Sequence, residues 1–347
     1  MMSLRTIGLV VVVLAGAAAA VLWIRHSERN PTPVAELSEP THSVNAPTNS
    51  DAFSGGSAAA SARVGGSPAQ DLSDSALTKA LAAATEHRAF ARSLLEPAKA
   101  GHHGAQYFLF EALRFCDSGY RFYFDRPGKR RTLDEALQWA STRPALRIED
   151  VYDVYARCRA LKEEDASEFG TASAWLEKAT AGGHAIARVT TGQQLLLKAR
   201  LAAYAASSRT GTAGDGDVGS SKPIDEALQL FRQALESKEP AVLWKFGESQ
   251  GFFEDDPKQA MKAQFAWFLV ACQRGYDCGE SSSWYRSACH ADGRHLCRPG
   301  EDVITFIKRE TQNDFLEIEQ LATQINVRLD NGSFEEFGLP AKAEPVG

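Results

Sequence analysis

Six cysteines and eight histidines are the residues whose chemistry most deserves a first look. The cysteines are Cys116, Cys158, Cys272, Cys278, Cys289 and Cys297, and all lie in the second two-thirds of the chain. An even count favours disulfides where the compartment is oxidising. Six cysteines permit 15 pairings. The local set Cys116–Cys158, Cys272–Cys278 and Cys289–Cys297 joins each helix end to its neighbour. Its rival within the C-terminal four is Cys278–Cys289 with Cys272–Cys297. Zinc is a third use, because Cys289-His290 and His295-Cys297 lie near Cys272 and Cys278 in sequence. Their spacing is unlike a C-x2–4-C knuckle, and oxidation would pair the thiols first. We expect no metal and no cofactor.

Catalytic signatures are missing from the chain. It has no G-x-S-x-G, H-E-x-x-H, P-loop or dinucleotide fingerprint. Acidic pairs occur at Glu163-Glu164, Asp255-Asp256 and Glu335-Glu336. Acid–base work needs two such groups to converge in a cleft with separated pKa values, whereas adjacent acids near helix ends are usually solvated. Gly214-Asp215-Gly216-Asp217 lacks the alternating acids and distal Glu of a calcium loop. The stretch from Tyr120 to Arg126 reads either as an exposed aromatic and basic patch or as a packed segment with outward arginines. No residue is assigned a catalytic role.

The elements that would position these groups follow from patterning. The chain has 347 residues, is 44% hydrophobic and 24% charged, and carries a net charge of −6. That balance suits a folded protein and argues against a duplex nucleic-acid binder, which needs a basic footprint. Ile7 to Ile24 is an uncharged apolar run of 18 residues with Arg5 before it and Arg25, His26 and Arg29 after it. It is just long enough to cross a bilayer, so a signal-anchor is expected at 7–24 after a short tail, 1–6. A cleaved signal peptide is the alternative, opposed by the apolar Val21-Leu22-Trp23-Ile24 beyond the small-residue site. Between Pro31 and Ser75, 29 of 45 residues are Pro, Gly, Ser, Ala or Thr. Such a segment cannot bury enough surface to offset its ordering entropy, so 25–75 is expected to be a disordered tether.

From Ser75 onward apolar spacing is helical, and the fold class expected is all-α. Ile304, Ile307, Thr311, Phe315, Ile318, Leu321, Ile325 and Leu329 trace one helix face, stopped by Asn331-Gly332. Helix ends repeat. Ala98-Lys99-Ala100-Gly101-His102 is followed by Ala105, and Ala179-Thr180-Ala181-Gly182-Gly183-His184 by Ala187. Cys272-Gln273-Arg274-Gly275-Tyr276 is a third copy of the turn, and Asp134–Gln138 recurs letter for letter as Asp225–Gln229. Turns then fall near 101, 143, 183, 239 and 275, and discounting a polar insertion at 208–221 the steps are 36 to 42 residues. That is one helix–turn–helix repeat. Gly101, His102, Gly183, His184 and Gly275 are accordingly read as structural turn residues.

With Trp175-Leu176-Glu177-Lys178 ahead of the second turn, these copies resemble the Sel1-like repeat family, relatives of tetratricopeptide repeats. The resemblance covers most of 75–290 and is clearest around 172–192. It departs from the family at Leu109-Phe110 and Thr191-Gly192, where Leu-Gly is usual. It implies an α/α solenoid over 76–332, a C-terminal tail at 333–347, and a protein or peptide as partner. Together with the N-terminal segment it suggests a bacterial inner-membrane protein with its domain in the periplasm, acting as a scaffold. A cell-envelope enzyme acting on wall or polysaccharide material is the competing expectation.

Overall fold

The computed structural model describes residues 72–341, apart from 127–128, 144–145, 147, 164–165, 211–221, 281, 283–297 and 299. The expected membrane segment, the tether up to residue 71, Cys289, Cys297, His290, His295 and the glycine–aspartate loop lie outside the described residues, while the last residues of the expected tether are ordered, Ser73 capping a helix that starts at Asp74. No helix among the described residues is long and apolar enough to cross a membrane.

The class is all-α. In chain order the helices are α1 (Asp74–Ala83), α2 (His87–Lys99), α3 (His103–Tyr123), α4 (Leu133–Ser141), α5 (Ile148–Glu163) and α6 (Ala172–Ala181). They continue with α7 (Ala185–Thr210), α8 (Lys222–Leu235), α9 (Pro240–Gly247), α10 (Pro257–Gln273), α11 (Val303–Thr311) and α12 (Phe315–Asn331). Where the sequence shows no strand pattern, Asp125–Arg126 and Lys129–Arg130 form a two-residue antiparallel pair between α3 and α4.

Local signals set the helix ends. Thr132 and Glu135 form a reciprocal capping box on α4. Asp256 caps α10 ahead of Pro257, Thr171 caps α6 and Asp302 caps α11. At the recurring turn, Gly101, Gly183 and Gly275 have φ of 95°, 91° and 99°, the left-handed region that glycine enters without a Cβ penalty. In each copy the next residue's N–H reaches back five places: His102 to Pro97, His184 to Ala179 and Tyr276 to Ala271, at 2.9–3.0 Å. In the first two copies the histidine Nδ1 then accepts the N–H of the following helix, from Ala105 at 3.1 Å and Ala187 at 3.3 Å. The alanine three places after the histidine is therefore the third residue of the new helix, where small size keeps the cap unobstructed.

Packing orders the helices into pairs. α2 packs on α3, α3 on α6, α6 on α7, α7 on α8, α9 on α10 and α10 on α12. α3 thus passes directly to α6, while α5 lies against α2 and α3 and carries α4 with it. Close backbone approach decides this. A Cβ at Gly119 would stand 3.1 Å from Val154 of α5, and one at Gly192 of α7 only 2.7 Å from the Phe231 ring of α8. The repeated pentapeptide does the same work twice, with Ala136 in α4 and Ala227 in α8 both fully buried.

Two expectations need correction. The single C-terminal helix is two, because Gln312 sits at φ 33° and a 3-10 turn, Gln312–Asp314, separates α11 from α12. The apolar face survives the break: Ile307, Thr311, Ile318, Ile325 and Leu329 are buried, while Ile304 is exposed. Beyond Gly332, the chain up to residue 341 does not trail away. Phe334 and Leu339 are buried, and Arg232 binds both Glu335 and the Pro340 carbonyl.

Candidate functional site

The repeated turn does more than end helices. At its second copy it forms one wall of an open cleft of about 520 Å³. Asp74 comes from the start of α1, His103 from the start of α3, and Gly182, Gly183, His184 and Arg188 from the α6–α7 turn. Gln233, Ser237 and Glu239 come from the end of α8 and the turn into α9. The His103 ring lies over Gly182, in the space a Cβ would take.

His184 is the most constrained group. Its Nδ1 accepts the Ala187 N–H, so that nitrogen carries no proton, and Nε2–H donates to Asp74, 3.0–3.1 Å from its two oxygens. Tyr107 stacks beneath it with ring centroids 4.8 Å apart. Both nitrogens of this imidazole are engaged, so His184 has no lone pair left to take a substrate proton. This histidine–carboxylate pair joins α1 to the turn.

The other charges are not so engaged. Arg188 has no ion-pair or hydrogen-bond partner for its side chain among the described residues, and its Nε is buried without an acceptor. Glu239 likewise has no side-chain partner among the described residues, and its bonds are those of its backbone: its N–H donates to Ser237 Oγ and its carbonyl accepts from Val242 and Leu243. Removal from water raises the Glu239 pKa, the repulsion from Asp74 adds to this, and His184 opposes it. The cleft therefore presents a guanidinium and a carboxylate with unused hydrogen-bonding capacity, which suits recognition of charged groups.

Other sequence candidates among the described residues have structural employment. Cys116–Cys158 bridges α3 to α5, and Cys272–Cys278 bridges the end of α10 to the following loop. The second bond contradicts the rival pairing and removes those two cysteines from any common zinc site. His87, unremarkable in sequence, is buried beside the first disulfide, with Nδ1 3.6 Å from Cys116 Sγ and 3.4 Å from the Ala112 carbonyl. Its Nε2 has no partner, and burial lowers its pKa. Asp256 is a helix cap, while Glu335 and Glu336 pair with Arg232 and Arg328. In the aromatic stretch Tyr120 and Phe124 are buried, whereas Phe122 is 53% exposed, edge-on to Trp139. Arg131 and Arg143 both lie over Trp139, at 4.5 and 4.3 Å from its ring centre.

No family model matches the chain, and neither a curated protein nor a solved structure shows significant similarity to it.

Arg188, Gln233 and Glu239 carry no motif, and nothing in their local sequence marks them. The only available signal was proximity of Arg188 to the Gly-His turn.

Proposed function

We propose that the protein is a membrane-tethered interaction scaffold of the bacterial periplasm, built as a Sel1-like helical-repeat solenoid and without catalysis of its own. The observation that carries this reading is the division of labour in the cleft. The His184 imidazole is committed to a helix cap and an inter-helix tie, while Arg188 and Glu239 hold unsatisfied charge for a partner. The recurrence of one turn geometry in three copies supports a repeat architecture. An apolar row on α7, with Leu197, Leu201 and Tyr204 exposed at 43–56%, supports a protein or peptide partner. The two disulfides support an oxidising compartment.

In-cell cross-linking and pull-down test this, with the full chain as bait and residues 1–75 as control. The expected result is a near-stoichiometric envelope protein that is absent from the control and depleted by Arg188→Glu. Equal recovery from bait and control rejects the scaffold. One observation favours a second reading, an envelope hydrolase: Asp74 and Glu239 share the cleft, and the Glu239 pKa is raised. Turnover of isolated wall polymer by the purified protein, abolished in Glu239→Gln, would establish the enzyme instead.

A further inference from the structure

The cleft has a charge pattern that narrows the class of ligand. Asp74 accepts from His184, Glu239 carries a second carboxylate, and Arg188 contributes one guanidinium. His184 offers the cleft no free ring nitrogen, because its Nδ1 accepts a backbone N–H and its Nε2–H donates to Asp74. A guanidinium without a partner for its side chain among the described residues is best satisfied by a carboxylate held bidentately. A Cβ at Gly183 would stand 3.3 Å from Arg188 Nη2, so glycine here also leaves the guanidinium unobstructed. Across the cleft the repulsion between Glu239 and Asp74 is relieved by a cation placed between them. A simple anion leaves the acids unmatched, and a simple cation leaves Arg188 unmatched. The volume of about 520 Å³ lies within the range of small-ligand sites.

We infer that this cleft binds a zwitterion, an amino acid or short peptide with both termini free, its carboxylate on Arg188 and its ammonium between Glu239 and Asp74. The inference rests on the scaffold reading and specifies what one of its surfaces recognises. The excess of acid over base in the cleft favours a basic side chain on the ligand over an acidic one. Capture of a terminal carboxylate or amine is a known mode of peptide recognition.

The test is calorimetric titration of the purified full chain with the dipeptide Lys-Ala. Parallel titrations use its N-acetylated, C-amidated and doubly blocked forms. The expected result is saturable one-to-one binding by Lys-Ala that weakens about tenfold or more when either end is blocked, as loss of a charge-assisted contact demands. Arg188→Gln should remove the sensitivity to amidation, and Glu239→Gln the sensitivity to acetylation. Both variants are first shown to keep wild-type helicity and the same number of titratable thiols. No saturation by about 10 mM, a millimolar ceiling for a specific site, overturns the inference. So does equal binding of free and doubly blocked dipeptide, or sensitivity patterns that do not divide between the two variants. Failure here with a partner still captured by the bait rejects the zwitterion site alone. Binding here without any captured partner rejects the scaffold alone.

Discussion

Gly192 is where the packing of the helix pairs is most exposed to a test. It lies inside α7, where replacing glycine by alanine in a free helix stabilises by about 1 kcal/mol. Here the added Cβ would stand 2.7 Å from Phe231 Cε1, 3.0 Å from Cζ and 3.1 Å from Cδ1, about 1 Å inside an ordinary carbon contact. The ring has little room to withdraw, because Phe231 is fully buried and packed edge-on against Phe246 and Phe253, with centroids at 5.3 and 5.8 Å. Overpacking of this kind costs about 1–3 kcal/mol. Set against the propensity gain, Gly192→Ala should destabilise by about 1 kcal/mol net. In a Phe231→Leu background the obstructing ring is gone, and the same substitution should become neutral or stabilising. Equilibrium urea unfolding of the four proteins, disulfides intact, gives the coupling energy directly. If Gly192→Ala stabilises equally in both backgrounds, α7 and α8 do not approach as closely as described and the argument fails.

Three further outcomes are expected. The Cys116–Cys158 bond spans 42 residues and the Cys272–Cys278 bond 6. Loop-closure entropy assigns them about 4 and about 2 kcal/mol, so the Cys116→Ser/Cys158→Ser protein should unfold at clearly lower urea than Cys272→Ser/Cys278→Ser; the reverse order would contradict this. Because the folded state lowers the His87 pKa below its ordinary 6.5, the unfolded chain binds the extra proton. Stability present above pH 6.5 should then fall as the pH drops through that value, by at most about 1.4 kcal/mol per unit, and unfolding curves of His87→Leu should lack this share. Removing the α7 cap with His184→Ala should cost about 1 kcal/mol or more, while His184→Asn, which keeps a capping acceptor, should recover most of that; equal losses in thermal melts would deny the capping role.

How legible the molecule was depends on the range of each signal. Gly101-His102 and Gly183-His184 announce a helix stop and restart because the glycine φ, the five-residue return hydrogen bond and the histidine cap all lie within a few residues. The same holds for the Thr132/Glu135 capping box and for Gly332 at φ 70°. The break at Gln312 has no local signal, because its neighbours keep helical apolar spacing on both sides and no glycine or proline marks it. The docking of 334–341 is not legible locally because its anchor, Arg232, lies 103 to 108 residues earlier.

The sequence by itself determined the helical class, the helix ends at the turns near 101, 143, 183, 239 and 275 and at Gly332, and the repeated turn, since these follow from spacing and from hydrogen bonds between near neighbours. Tertiary structure alone decided that α3 meets α6, that His87 lies against a disulfide, and that Asp74, Arg188 and Glu239 face one cleft. The physical reason is that apolar helix faces are interchangeable in pattern and are told apart by shape. Gly119 admits Val154 and Gly192 admits Phe231 at distances that only the folded backbone defines. The charges of the cleft then share one surface because the helices carrying them pack as they do.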